Sequence, residues 1–82
     1  MTFVATFYSH FGAIRYKKMC QQQGVQAETM PVPRDLSSSC GTCVRGVGEP
    51  VMPEGVAKEE MEQLVEALEQ GGYRLIYRAE ES

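Results

Sequence analysis

The 82-residue sequence has no tryptophan, a single histidine and only three cysteines. Three is an odd number, so the thiols do not read as the framework of a secreted, disulfide-stapled domain. No apolar run approaches the roughly 18 residues that a membrane-spanning helix needs. The opening segment Met1–Tyr8 has no charged leader and no small-residue cleavage site, and does not read as a signal peptide. Positive charge is not in excess either: 8 Lys and Arg stand against 11 Asp and Glu, a formal net charge of −3. A non-specific nucleic-acid binder needs a basic face to neutralise phosphates. The short clusters Arg15-Tyr16-Lys17-Lys18 and Arg74 with Arg78 read instead as a solvated helix face and a strand edge. Repeats, carboxylate pairs, Ser-His-Asp sets and nucleotide fingerprints are missing too. Gly46-Val47-Gly48 lacks the third glycine and the helix start that a phosphate loop requires. These absences leave one small domain, residues 1–82, expected in the cytoplasm with reduced thiols and with neither nucleic acid nor membrane as a partner.

What is present is an α+β pattern. Residues 2–8 carry bulky apolar and β-branched groups and predict a partly buried strand. Ser9 is a suitable N-cap, Ala13, Tyr16, Met19 and Cys20 gather on one helical face, and Gly24 is a suitable stop, so a helix is expected over 9–23. A second strand is expected over 25–30, ended by Pro31-Val32-Pro33, since proline cannot donate to a ladder. Thr42–Val47 reads as a third strand and 46–55 as a Gly/Pro loop. Met61, Leu64, Val65 and Leu68 recur at i, i+3, i+4 and i+7 and predict a helix over 56–70 with an acidic, solvated outer face. Tyr73–Arg78 alternates again, with Tyr73, Leu75 and Tyr77 on one side, and predicts the last strand.

The resulting order, βαββαβ, predicts a ferredoxin-like α+β sandwich: a four-stranded antiparallel sheet with two helices on one face. The other face, carrying Val4, Thr6, Met30, Ile76 and Arg78, is mixed enough to be solvated or to form a homodimer. In this topology the end of the first strand and the loop after the second share a rim, which brings His10 toward Cys40. The Gly71-Gly72 turn is expected at the same rim.

Chemistry concentrates in Ser37-Ser38-Ser39-Cys40-Gly41-Thr42-Cys43. A thiol among small polar residues in a loop is accessible, and it becomes nucleophilic where cations or N–H donors stabilise the thiolate. Arg34 and His10 are the candidate cations, and the serines are candidate hydrogen-bond donors. Cys40 and Cys43 form a C-x-x-C. A disulfide needs Cα atoms within about 7 Å, whereas three extended steps of about 3.3 Å leave them near 10 Å, so the pair closes only if Gly41-Thr42 turns. A metal would find that pair plus His10 and Cys20, and Cys20 reads as a core residue beside Ala13 and Tyr16.

Pro31-Val32-Pro33-Arg34-Asp35-Leu36-Ser37-Ser38-Ser39-Cys40-Gly41 resembles the motif of the selenium/sulfur carrier protein-like family, a group of small bacterial domains. The likeness extends to the opening strand with aromatic ends, Ser9-His10, Gly24 and a closing strand with Tyr and Arg. It implies Cys40 as the carrier thiol, with Arg34, Ser38, Ser39 and Gly41, and less directly His10, around the substrate. Cys43 departs from the family pattern, where a small apolar residue stands, and leaves room for a second reacting thiol or a metal ligand. The implied function is a carrier accepting sulfur or selenium as a persulfide or perselenide on Cys40. The implied partners are a donor protein such as a cysteine desulfurase and an acceptor protein, and no cofactor is implied. The alternative is a metal-binding or redox-sensing module using Cys40 and Cys43.

Overall fold

The computed structural model describes residues 1–80. Its elements are β1 (Thr2–Phe7), α1 (His10–Gln22), β2 (Gln26–Pro31), β3 (Thr42–Val47), α2 (Val56–Glu60), β4 (Met61–Ala67) and β5 (Tyr73–Arg78). The strands form one sheet in the order β2-β3-β1-β4-β5, with every neighbouring pair antiparallel. Among the described residues no helix is long and apolar enough to cross a membrane.

The α+β class and the first half of the chain follow the pattern of the sequence. Ser9 caps α1, its Oγ accepting the Gly12 N–H at 3.2 Å. The helix lays Ala13, Tyr16 and Cys20 on the sheet, against Phe3, Ala5 and Phe7 of β1, Val44 of β3 and Met61 and Leu64 of β4. Each fully buried aromatic of this group stabilises the fold by about 1.5–3 kcal/mol. The Tyr16 hydroxyl donates to the Val51 carbonyl and ties the Gly/Pro-rich connection to the core.

The second half differs from expectation. The sheet has five strands rather than four, and the predicted helix over 56–70 stops at Glu60. Met61–Ala67 is a strand paired on both sides, to β1 and to β5. A bulge explains why its side chains imitate a helix. Phe7 pairs with Met61 and Thr6 with Gln63, so Glu62 is an extra residue on β4. That insertion brings Met61 and Leu64, three apart, onto the helix-covered face. Val65 points the opposite way and is equally buried, with Val4 and Cys43. The spacing i, i+3, i+4 here belongs to a bulged strand covered on both faces.

A second bulge, at Ile76, divides the expected Tyr73, Leu75 and Tyr77 stripe. Tyr77 sits opposite Leu64 on the helix side, and Ile76 packs on that side too, while Tyr73 packs on the other. The face without helices is not open. Val32 and Leu36, from the connection between β2 and β3, cover Val4, Cys43 and Val65 together with Met30 and Tyr73. Thr6 is fully buried there, beneath the same cover.

Close packing between β1 and β3 yields a direct test. A Cβ on Gly46 would run into the ring of Phe3. Gly46→Ala should therefore destabilise the fold by about 1–3 kcal/mol, read as a lower midpoint in urea denaturation.

Candidate thiol active site

Residues 32–41 form the loop that joins β2 to β3. Its base is closed by the Val32 N–H donating to the Gly41 carbonyl at 3.1 Å. A turn within it is fixed by the Leu36 N–H donating to the Pro33 carbonyl at 3.0 Å. Gly41 has φ 76°, a left-handed conformation that side-chain-bearing residues rarely adopt, and open space lies where a Cβ would stand. Glycine is there for the bend.

The bend folds Cys40 back over the start of β3. Its Sγ accepts the Thr42 N–H at 3.4 Å and lies 3.3 Å from the Thr42 carbonyl, to which the thiol donates. Ser38 Oγ is 3.9 Å from the same sulfur. Cys40 is half-buried and rests against the helix-side core. His10, exposed at the start of α1, reaches the same strand end, with Nδ1 2.7 Å from Thr42 Oγ1. The topology thus brings His10 to the cysteine rim, as expected. The Gly71-Gly72 turn lies at the opposite end of the sheet, because β4 runs antiparallel to β1 and its last residue, Ala67, pairs with Thr2.

Glu62 is the residue that the sequence pattern concealed. The β4 bulge aims its carboxylate at the cysteine loop, where Oε1 accepts from Ser38 Oγ at 3.1 Å and from the Ser39 N–H at 3.0 Å. Oε2 accepts from Ser39 Oγ at 2.6 Å. Ser38 Oγ also lies 3.2 Å from the Phe7 carbonyl, at the end of β1. Two further bonds hold the loop: Gln63 Nε2 donates to the Ser37 carbonyl at 3.3 Å, and the Tyr73 hydroxyl donates to Asp35 Oδ1 at 2.9 Å. Burial, and after it the Asp35 carboxylate that accepts its hydrogen bond, push the Tyr73 hydroxyl up. Ser38 and Ser39 are therefore engaged in fastening the loop. Arg34 is exposed in the turn and makes no hydrogen bond or ion pair among the described residues.

Cys43 does not face Cys40. Its side chain is fully buried on the loop-covered side, in a cluster with Val4 and Val65, and its thiol reaches toward the Pro31 carbonyl at 3.8 Å. Burial, and after it the charge of Cys40, push the Cys43 thiol up. Cys20 is buried beside Tyr16, and burial raises it as well. Among the described residues, no group of three or more His, Cys, Asp or Glu is arranged to hold a metal ion.

These environments rank the thiols. A raised thiol carries less thiolate at neutral pH, and burial also blocks reagents. Iodoacetamide should modify the native protein once, at Cys40, and all three cysteines in denaturant, as peptide mapping will show. Glu62→Ala should cost about 1–3 kcal/mol and speed amide exchange at Ser39, whose N–H loses its acceptor. An unchanged Ser39 exchange rate would show that the carboxylate does not fasten the loop.

The sequence was compared with protein families and with known proteins. Neither the curated proteins nor the solved structures gave a match. One family model does match, over residues 2–74, which spans the sheet through the start of β5 and the whole cysteine loop. With its thiol on a motif loop at the sheet rim, the chain belongs to the family described as Putative Se/S carrier protein-like.

Proposed function

We propose that this protein carries sulfur or selenium on Cys40, as a persulfide or perselenide, and passes it to a partner protein. The observation that supports this most is the contrast among the three thiols: Cys20 and Cys43 are buried, and Cys40 alone reaches the surface. Membership of the family points to the same cargo.

The transfer step needs only a donor persulfide. Cys40 sulfur attacks the donor's outer sulfur, an S–S bond forms, and the donor's own S–S bond breaks. The electron pair leaves on the donor cysteine, which takes up the proton that Cys40 gives up. The donor persulfide and the Cys40 thiol become a donor thiol and a Cys40 persulfide, with no external oxidant. Handover to the acceptor is the same step with Cys40 as the leaving group. Selenium follows the same scheme through a perselenide.

The surroundings suit a carrier. The Thr42 N–H supplies a hydrogen bond to the sulfur, and open space lies on the Cα of the next residue, Gly41. His10, with Nδ1 occupied by Thr42, offers its other ring nitrogen to the incoming group or to the leaving thiolate. Exposed Arg34 at the loop tip and exposed Phe11 beside His10 are available to the donor, a protein of the cysteine desulfurase class, and to the acceptor. Such relays operate among reduced thiols, in keeping with a cytoplasmic setting.

Incubation with a cysteine desulfurase and isotopically labelled cysteine should place one labelled sulfur on Cys40, seen as the mass gain of one sulfur atom on its peptide. Cys40→Ser should abolish the label. Equal labelling of Cys40→Ser would overturn the reading, and labelling at Cys43 alone would move the carrier thiol there.

A further inference from the structure

Cys43 is a buried thiol three residues from the proposed carrier, and the carrier step does not use it. What covers it is specific. Val32 and Leu36 of the cysteine loop lie over it, so the loop that bears Cys40 also roofs Cys43. The roof is fastened by bonds to β4 and β5, namely Glu62 to Ser38 and Ser39, Gln63 to Ser37, and Tyr73 to Asp35. Most of these bonds lie at the solvent surface, where such contacts are individually weak. Beneath the roof, Thr6 pairs with Cys43 across the β1–β3 ladder, and its hydroxyl is buried with no hydrogen-bond partner. A buried hydroxyl left unpaired is costly, and here it stands opposite a thiol as a donor with nothing to bind.

We propose that Cys43 is a latent resolving thiol, kept from Cys40 by the 32–41 loop, and that lifting this loop discharges a Cys40 persulfide as free hydrogen sulfide. This deepens the carrier reading and rests on it. With the loop lifted, Cys43 sulfur attacks the Cys40 Sγ of the persulfide. The Cys40–Cys43 S–S bond forms, the bond from Cys40 to the outer sulfur breaks, and the outer sulfur leaves with the electron pair. It takes up the proton that Cys43 loses. The Cys40 persulfide and the Cys43 thiol become the Cys40–Cys43 disulfide and hydrogen sulfide; the sulfane sulfur is reduced and the two cysteines are oxidised. A thiol reductant restores the dithiol.

The closed loop thus preserves the cargo by holding the two sulfurs on opposite sides of the sheet. Burial acts in the same direction, because it pushes the Cys43 thiol up and away from the nucleophilic form.

The gate can be tested without any sulfur delivery. Dithiobis(nitrobenzoate), an aryl disulfide, converts Cys40 to a mixed disulfide and releases one coloured thiolate; attack by Cys43 on the Cys40 sulfur releases a second. The aryl thiolate on Cys40 stands in for the outer sulfur of a persulfide. In the wild type the first release should be fast and the second slow. Tyr73→Phe and Glu62→Gln each remove or weaken one fastener and should speed the second release about five- to tenfold, the equivalent of one hydrogen bond. Peptide mapping should then find the Cys40–Cys43 disulfide, and adding Cys43→Ala should abolish the second release. Equal second rates in the wild type and both variants, or a second release that survives Cys43→Ala, would overturn the proposal. Either result leaves the carrier reading standing, because that reading is decided by the Cys40→Ser labelling.

Discussion

Burial of β1 on both faces is the constraint from which the rest of this structure follows. Phe3, Ala5 and Phe7 need one apolar cover, and Val4 and Thr6 need another. Among the described residues α1 is the one long helix, and it takes the Phe3 side. No helix remains for the second side, and the β2–β3 connection folds down over it instead. A loop used as a layer has to satisfy its own backbone and stay in place, because irregular segments cannot bond to themselves as a helix does. The closing bond from Val32 to Gly41 and the side-chain fasteners from Glu62, Gln63 and Tyr73 meet that need.

The chemistry at the rim uses the same arrangement. Cys40 is anchored at its own strand end by the Thr42 N–H and lies beside the Ser38 hydroxyl that Glu62 holds, while His10 of α1 bonds the Thr42 side chain. A carrier thiol needs that combination: access for a partner, and a fixed place from which to meet it.

Much of this was legible in the sequence. Ser9 marked the start of α1, the β-branched and aromatic run marked β1, and the motif around Cys40 marked the thiol that reaches the surface. The direction of the strands placed His10 at the right end. The helix expected over 56–70 was wrong because a bulge and a periodic helix leave the same trace when both faces of a strand are apolar. Once those residues were read as a solvated helix face, Glu62 lost its meaning, since only the bulge aims it at the loop. The same misreading placed Gly71-Gly72 at the cysteine rim, for a turn after a strand and a turn after a helix lie at opposite ends. That Val32 and Leu36 cover the second face had no local signal, because two apolar residues among prolines and serines do not say which surface they seal.

The ten residues from 32 to 41 hold the apolar cover of a face and the one thiol that reaches the surface on one short segment. Folding and chemistry therefore cannot drift independently here. A change at Leu36 that suited a new partner would be judged first by whether Val4 and Val65 stay dry, and a change that tightened the cover would alter where the thiol stands. Natural selection on this segment acts on both at once, which ties the identity of the loop to the identity of the sheet beneath it.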